Sequence, residues 1–235
     1  MIRIQNAHFG YDKPLIHVSN LILEAGKVYA LVGLNGSGKS TLLKTLSGQL
    51  ALLEGEVWLA EHSLRLLNAQ ADLRAKQLAF VSSRFEGVDQ LSVFDYIGLG
   101  RSPYLGAFGR LHASDKHKIE ALIEHLKLSH LKLKRTKEIS DGERQLVSLA
   151  RAFVQDTPVL ILDEPASFLD FLNREKVLDA LLDWVKDQQK CVLFSSHDLD
   201  LCLEKQVPIL TIANGQMNRW QGDSKKELIE LLTAQ

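Results

Sequence analysis

The sequence predicts an α/β fold organised around a parallel β-sheet that is buried on both faces. Short, unbroken apolar runs recur along the chain between glycine or polar residues, which is typical of such buried strands. They occupy residues 28–32, 78–81, 159–162 and 191–194. Other segments carry apolar residues at helical spacing, as in Leu42, Leu43, Leu46 and Leu50. The alternation of the two patterns favours the α/β class.

The composition suits one large domain or a compact unit with two lobes. The chain has 235 residues, of which 46% are hydrophobic and 24% charged, so it can bury a substantial core. Its formal net charge of -1 provides no overall attraction to nucleic acid or to an anionic membrane. The amino terminus lacks the pattern of a signal peptide. No apolar run approaches the ~18 residues that span a bilayer, so we expect any membrane role to depend on a partner.

The cysteines and histidines predict neither a disulfide framework nor a metal centre. Cys191 and Cys202 match no ligand spacing, and we expect ordinary thiols in a reducing, intracellular setting. Four histidines form two pairs whose spacing does not align them on one helical face. They are expected on the solvated surface: His112, His117, His125 and His130.

Two regions depart from the pattern of buried parallel strands. Near the amino terminus Ile2 and Ile4 alternate with polar residues, which predicts additional β-structure. Glycine and aromatic residues fill 85–109, and an apolar helical face follows at 119–126. We therefore expect a helical lobe inserted into a core lobe. The predicted boundaries are 84–141 for the helical lobe and 1–83 with 142–235 for the core lobe.

Residues 33–40 read Gly-Leu-Asn-Gly-Ser-Gly-Lys-Ser, the phosphate-binding P-loop pattern, between a predicted strand and a predicted helix. A triphosphate needs many donors around a tight curve, and Gly36 and Gly38 let backbone N–H groups approach it. Lys39 supplies positive charge for binding and catalysis, and Ser40 supplies a hydroxyl for Mg²⁺. A plain glycine-rich turn would not require this context. The predicted nucleotide-binding residues here are Gly33, Asn35, Gly36, Ser37, Gly38, Lys39, Ser40 and Thr41.

Residues 159–165 read Val-Leu-Ile-Leu-Asp-Glu-Pro, a buried strand followed by two acids. Asp163 is predicted to hold Mg²⁺ through water, because Mg²⁺ keeps most of its hydration shell. Glu164 should point elsewhere, since neighbours on an extended chain alternate sides. It is then placed to orient and deprotonate an attacking water. Two solvated acids at a strand end are the plain alternative, which the nearby phosphate loop disfavours.

All four predicted buried strands end in glycine, hydroxyl or charged residues. Ligands of open parallel sheets bind at the carboxyl ends of the strands. We therefore expect Gly33 and the pairs 82–83, 163–164 and 196–197 to converge on one site.

Residues 139–143 read Ile-Ser-Asp-Gly-Glu and lead into Arg-Gln-Leu-Val-Ser-Leu-Ala-Arg-Ala. Together with the two motifs above, this stretch resembles the ABC ATPase family, whose signature is Leu-Ser-Gly-Gly-Gln before such a helix. Ser140 and Glu143 also form the S-x-x-E capping box that opens a helix. The resemblance covers essentially the whole chain. It implies a P-loop ABC ATPase in one domain, with a RecA-like α/β core, an antiparallel β subdomain and an inserted helical subdomain.

The same resemblance implies that two copies of the chain enclose ATP and Mg²⁺ between them. In the family, the residues matching Ser140 and Gly142 bind the γ-phosphate of ATP held by the other protomer. Asp170 closes the stretch Ser-Phe-Leu-Asp, which resembles the D-loop that crosses the dimer interface. His197 matches the switch histidine that contacts the γ-phosphate. Tyr11 matches the aromatic that stacks on adenine, with an ordinary edge-strand aromatic as the alternative.

Three positions depart from the family pattern. Ser83 stands where a glutamine usually reaches Mg²⁺, and it could touch the metal only through a water. Asp141 and Glu143 replace a glycine and a glutamine of the signature, and two acids beside a γ-phosphate are electrostatically unfavourable. Acids are favoured at a helix N-terminus, however, and their side chains can point away from the nucleotide. We expect ATP hydrolysis to survive these changes.

The segment 99–111 contains Gly-Arg-Ser-Pro-Tyr and resembles the ATPases of importers for iron–siderophore complexes, haem or cobalamin. That resemblance implies permease subunits in the membrane, an indirect substrate-binding partner and a peripheral location on the cytoplasmic face. A plain loop in the helical lobe is the alternative for this segment. Alternatives for the whole chain are a soluble non-transport ABC ATPase, a kinase or GTPase, and a nucleic-acid-linked ABC protein. The signature helix disfavours a kinase or a GTPase, and the near-neutral charge disfavours a nucleic-acid-linked protein.

Overall fold

The computed structural model describes residues 1–83, 85–106, 108–167, 169–186, 188–222 and 224–233. The strands within these ranges all belong to a single mixed sheet. They are β1 (Ile2–Gly10), β2 (Pro14–Leu23), β3 (Lys27–Gly33), β4 (Glu54–Leu59), β5 (His62–Ser63), β6 (Leu78–Val81), β7 (Val159–Leu162), β8 (Cys191–Ser195), β9 (Ile209–Ala213) and β10 (Gln216–Arg219). Their order across the sheet is β5-β4-β1-β2-β10-β9-β3-β8-β7-β6.

One half of the sheet is parallel and consists of β6, β7, β8, β3 and β9. In its register Leu162 lies opposite Phe194, and Leu31 lies opposite Ser195. The carboxyl ends of these strands therefore share one edge, where ligands of open parallel sheets bind. The four strands predicted from apolar runs all lie in this half.

The other half of the sheet is mainly antiparallel. β1 pairs antiparallel with β2 and with β4, and its apolar residues Ile2 and Ile4 are fully buried. β10 joins the two halves, because it pairs antiparallel with β9 and parallel with β2 where Gln216 faces His17. The predicted antiparallel β-structure is confirmed.

Helices cover both faces of the sheet. They are α1 (Lys39–Leu46), α2 (Leu64–Ala69), α3 (Ala71–Gln77), α4 (Val93–Gly98), α5 (Ala113–His125), α6 (Asp141–Val154), α7 (Phe171–Val185), α8 (Leu199–Glu204) and α9 (Lys225–Thr233), with 3₁₀ turns at Leu99–Tyr104 and Ser129–Leu131.

β3 shows why a central strand appears as an unbroken apolar run. Tyr29 and Leu31 pack into a core with α1 on one face of the sheet. Val28, Ala30 and Val32 pack on the other face, in a core that includes residues of α6 and α7. Both faces of the strand are thus covered, and positions 28–32 do not favour polar side chains.

A third apolar cluster joins α4, α5 and the inner face of α6, with Ile97, Ile123 and Val147 among its buried members. It is the core of the region predicted as the helical lobe. Because α6 contributes to this cluster and to the core on the sheet, it connects the two parts. The boundaries at 84–141 stay a prediction, and Arg84 and Ala107 lie outside the described residues.

Within the described ranges, no helix is both long and apolar enough to cross a membrane. Cys191 and Cys202 are buried and unpaired, and burial raises the pKa of each thiol to about 11. The four paired histidines are exposed, as predicted. In the part of the chain that the structure describes, no group of three His, Cys, Asp or Glu residues could hold a metal ion.

Candidate nucleotide site

The P-loop lies between β3 and α1 at the carboxyl edge of the parallel strands. Gly36 and Gly38 have φ angles of 79° and 101°, so both need the left-handed backbone that glycine adopts freely. A Cβ at Gly38 would stand 2.6 Å from Ile16 Cδ1 on β2. Glycine is therefore required at position 38 by its backbone angle and by close packing against the neighbouring strand.

Lys39 is the first residue of α1 and is only 6% exposed. Its Nζ donates to the backbone oxygens of Gly33 and Leu34, at 2.9 and 3.2 Å. Burial lowers the pKa of Lys39 below its ordinary value, while the charges of Glu164 and Asp163 act in the opposite direction. The ammonium group is thus held inside the loop, within the field of the two acids.

Ser37 provides a direct sign that the loop is built for a polar ligand. Its buried Oγ has no hydrogen-bond partner among the described residues. A buried unpaired hydroxyl is costly, and such groups in native proteins usually await a ligand or water. A phosphate oxygen would satisfy this hydroxyl, at the point where the loop also offers backbone N–H groups and Lys39.

Asp163 follows β7 and is connected to the P-loop through Ser40. Ser40 Oγ lies 3.2 Å from Asp163 Oδ1, and Ser195 Oγ donates to the same carboxylate oxygen at 2.9 Å. A hydroxyl beside a carboxylate is the type of oxygen donor set that suits Mg²⁺, which takes few protein ligands and completes its shell with phosphates and water. The predicted metal ligands Ser40 and Asp163 are therefore adjacent and chemically suited to Mg²⁺.

Glu164 and His197 are brought together as an interacting pair. His197 Nε2 lies 2.8 Å from Glu164 Oε1, and the two side chains are 46% and 28% exposed. An ionised carboxylate only accepts, so the proton in this bond lies on Nε2. The two acids have different side-chain partners, but strand alternation is not the reason. β7 ends at Leu162, and Glu164 has a left-handed φ of 46°.

The signature residues lie at the start of α6, where Ser140 is the N-cap. Glu143 accepts from both the backbone N–H and the hydroxyl of Ser140, each at 2.8 Å. The hydrogen bond from the Ser140 backbone N–H is the main reason that the pKa of Glu143 lies below its ordinary value, and partial burial acts in the opposite direction. Asp141 forms an ion pair with Arg144. No hydrogen bond connects Ser140 to the P-loop among the described residues, so these groups of one chain are separate.

Gly142 and Asp170 meet at Asn173 in the first turn of α7. Asp170 caps this helix by accepting from Asn173 N at 2.9 Å and from Asn173 Nδ2 at 3.0 Å. A Cβ at Gly142 would lie 2.7 Å from the Asn173 amide, so a larger residue would require the Asn173 side chain to move. Phe168, within the stretch that resembles the D-loop, lies outside the described residues.

Four residues singled out from the sequence do not take part in the side-chain contacts described above for the site. Tyr11 lies in the turn between β1 and β2 and is 59% exposed. Within the described ranges, no hydrogen bond or ring contact joins it to the P-loop. Asn35 is exposed, and Thr41 is buried in α1. Ser83 follows β6 and is half-buried. The adenine-stacking role of Tyr11 stays a prediction.

Sequence reasoning missed two residues that organise the site. Ser195 bonds both Asp163 and the backbone of Glu164, and Arg174 connects the loop before α7 to Asp198 beside His197. The signal for Ser195 is a hydroxyl at the last position of a buried strand. For Arg174 no local signal exists, because its two partners are distant in sequence or lie on the backbone.

Comparison with known proteins supports the resemblance. A family model described as ABC transporter matches residues 16–167, which include the P-loop, the signature helix and the acidic strand end. The iron(3+)-hydroxamate import ATP-binding protein of Bacillus subtilis (strain 168) is 32% identical over 192 residues, covering 81% of this chain and 71% of that protein. The molybdate import ATP-binding protein of Haemophilus influenzae is 30% identical over 198 residues, covering 83% and 72%.

Solved structures agree with this assignment. A transporter assigned to the metal-chelate type of ABC transporter, in an inward-facing conformation, superposes with a TM-score of 0.81 at 26% identity, covering 98% of this chain and 88% of that one. An ATP-binding cassette solved as a dimer in a post-hydrolysis state with ADP and Pi has the same fold, with a TM-score of 0.78 at 22% identity, covering 94% and 100%. The chain belongs to the ABC transporter family and is an ABC ATPase of the P-loop α/β fold.

Proposed function

We propose that this chain is the ATPase subunit of an importer for metal chelates, with iron chelates as the first candidate cargo. The observation that carries the ATPase part of this proposal is the meeting of Glu164 and His197 beside the pair formed by Ser40 and Asp163. A base, a switch residue, a metal ligand pair and a phosphate loop are thus assembled at one edge of the sheet.

The P-loop would hold the triphosphate through backbone N–H groups, with Lys39 on the β- and γ-phosphates. The unpaired hydroxyl of Ser37 would complete this set of donors. Ser40 and Asp163 would hold Mg²⁺, which when bound neutralises charge on the β- and γ-phosphates. Tyr11 would stack on the adenine, which requires the turn between β1 and β2 to face the nucleotide.

Hydrolysis would begin with a water oriented by Glu164. As the water oxygen bonds to the γ-phosphorus, the bond from that phosphorus to the β,γ-bridging oxygen breaks, and ADP retains the bridging oxygen with its electron pair. Glu164 accepts the proton that the water releases. His197 holds the carboxylate in place through its Nε2 proton and lies at the same edge to contact the γ-phosphate.

Two copies of the chain would complete each site. Ser140 and Gly142 lie on a separate part of the chain from the P-loop, at a helix N-terminus suited to an anion. They would bind the γ-phosphate of ATP held by the second copy, and Asp170 would lie at the same interface. Closure would move the helical regions together with attached permease subunits, and loss of the γ-phosphate would reopen the dimer.

The cargo class is supported by the relatives. The named activities are iron(3+)-hydroxamate import in one and molybdate import in another, and the structure at 26% identity is of the metal-chelate type. Haem and cobalamin stay within the wider class that the segment 99–111 resembles. We place the subunit peripherally on the cytoplasmic face of the cell membrane, attached to a permease that a substrate-binding protein supplies. A non-transport ATPase is the alternative.

A Glu164→Gln variant tests the mechanism and the dimer together. We expect it to bind ATP, to hydrolyse it at least about a hundredfold more slowly, and to accumulate as a dimer by size-exclusion chromatography with ATP. Lys39→Ala should instead weaken ATP binding. The matched control is Glu61→Gln, an exposed acid between β4 and β5. Full hydrolysis by Glu164→Gln, or a variant that stays monomeric with saturating ATP, would contradict the proposal.

The cargo is tested with the chain and its permease in lipid vesicles. We expect the substrate-binding protein loaded with a ferric chelate to stimulate ATP hydrolysis, and molybdate, haem and cobalamin to stimulate it less. Failure of the chain to purify with any integral membrane protein would favour the non-transport alternative.

A further inference from the structure

Glu164 has a backbone conformation that its neighbours in sequence oppose. Its φ of 46° lies in the left-handed region, which residues other than glycine adopt at a cost. It also precedes Pro165, and the residue before a proline is driven towards extended backbone. Such a conformation persists only where surrounding contacts hold it.

The hydroxyl of Ser195 makes the contact that holds Glu164. Ser195 Oγ accepts from Glu164 N at 2.8 Å and lies 2.9 Å from Asp163 Oδ1. The residue is 1% exposed, so water does not compete for either bond. An N–H group can only donate and a carboxylate can only accept. The hydroxyl proton is therefore directed at Asp163, and one oxygen serves both acids.

The adjacent serine has a different set of contacts. Ser196 Oγ accepts from Asp198 N at 3.0 Å, within the loop that carries His197. The two hydroxyls are thus divided between two elements of the site. Ser195 holds the acids at the end of β7, and Ser196 shapes the histidine loop.

We propose that Ser195 is a positioning residue for ATP hydrolysis, whose single hydroxyl fixes the backbone of Glu164 and the carboxylate of Asp163. This inference rests on the proposed function. Without the hydroxyl, the left-handed peptide loses its bond, and the Glu164 carboxylate leaves its alignment with His197. We therefore expect the rate of the chemical step to decrease while ATP affinity is retained, because ATP is held mainly by the P-loop.

The test compares Ser195→Ala with Thr157→Val in the full chain. Thr157 is fully buried and donates to Val159 O at 2.8 Å at the other end of β7, so its variant also loses a buried hydroxyl. We expect kcat of Ser195→Ala to fall about tenfold, with KM and the calorimetric Kd for ATP within about twofold. Thr157→Val should retain kcat. Ser195→Thr, which keeps a hydroxyl at this position, should retain most of the wild-type rate. If the threonine variant does not fold, Ser195→Cys is measured in its place.

A second comparison separates positioning from general damage. Adding Ser195→Ala to Glu164→Gln should slow single-turnover hydrolysis by less than about threefold, because the base that Ser195 positions is already gone. A full tenfold further loss, or a Ser195→Ala rate within twofold of wild type, overturns the inference and leaves the proposed function standing. A wild-type chain that does not hydrolyse ATP overturns both.

Discussion

Arg101 and Asp115 form an ion pair in which both side chains are only 7% exposed, with Arg101 Nε donating to Asp115 Oδ1 at 2.8 Å. Arg101 also donates from Nη1 to Val154 O at 2.9 Å and stacks 4.1 Å from the centre of the Tyr104 ring. One side chain thus joins the segment 99–104, α5 and the end of α6. Arg101, the arginine of the Gly-Arg-Ser-Pro stretch, therefore holds three segments of the helical region together.

Gly100 has a related reason to be glycine. A Cβ at this position would lie 2.1 Å from the backbone oxygen of Arg151 on α6. The segment can approach the helix closely only without a side chain there. The Gly-Arg pair thus serves packing in the helical region.

We predict that Arg101→Ala lowers the free energy of unfolding by about 3 kcal/mol, because it leaves the Asp115 charge buried without its partner. The measurement is urea denaturation near pH 7. Lys186→Ala is the matched control, since its pair with Asp183 is 74% and 53% exposed and should contribute less than about 0.5 kcal/mol. Equal effects of the two variants would show that the buried pair does not stabilise the fold.

The same pair predicts a pH dependence. Burial alone would raise the pKa of Asp115, but the bonds from Arg101 and from the His112 backbone lower it below its ordinary value. The stabilisation is therefore fully present above the unfolded pKa near ~4 and is lost as pH falls through the folded pKa. The stability gap between wild type and Asp115→Asn should be constant from about pH 7 to 5 and shrink below about pH 4. A gap that widens in acid would reverse this sign.

The sequence predicted secondary structure best where every residue of a segment lies in the same apolar surroundings. The run 28–32 has apolar neighbours on both sheet faces, and the strand spans Lys27–Gly33. In such places local pattern and tertiary packing agree, so the pattern alone suffices.

Details of the site were not predictable because they depend on partners distant in sequence. A serine such as Ser195 at a strand end appears the same whether it faces water or the acids of another strand. The direction of Glu164 was predicted from strand alternation, yet it results from a left-handed turn after β7. The capping box allowed several side-chain arrangements, and the sequence did not show that Ser140 donates both its N–H and its hydroxyl to Glu143.

Glu143 provides a prediction about ATP affinity. Its carboxylate accepts both donors of Ser140, which the proposed mechanism assigns to the γ-phosphate of the second copy. In that mechanism ATP displaces this carboxylate from Ser140 and lies near its negative charge. We predict that Glu143→Gln, a neutral isostere, lowers KM for ATP by about fivefold, or roughly 1 kcal/mol. In the Glu164→Gln background it should also form dimers at lower ATP concentration.

Glu138→Gln is the matched control for this prediction. Glu138 accepts from the backbone N–H of Arg135 at 3.2 Å, the same three-residue capping geometry, but it precedes the signature helix. Its neutralisation should leave KM within about twofold. Equal decreases in KM for both variants would indicate a general charge effect, and an increase for Glu143→Gln would show that the carboxylate assists binding.

Arg174 supports the last prediction, which concerns communication within the site. Its Nε donates to Leu169 O at 2.7 Å and its Nη1 lies 3.4 Å from Asp198 Oδ2. Asp198 in turn caps α8 by accepting from Leu201 N at 3.1 Å, directly after His197. The guanidinium therefore connects the loop before α7, proposed to face the second copy, to the loop that carries His197.

Within the described residues, no hydrogen bond or ion pair joins Arg174 to the P-loop, Asp163 or Glu164, so its loss should affect turnover and spare ATP binding. We predict that Arg174→Ala lowers kcat about fivefold with KM for ATP within about twofold, and that Arg174→Lys recovers only part of the rate, since lysine cannot bridge both oxygens. Lys176→Ala, an exposed cation in the same turn, is the control. Steady-state ATPase assays and thermal melts distinguish the outcomes. If kcat falls only in proportion to lost folded protein, the bridge stabilises the fold and does not transmit between the two loops.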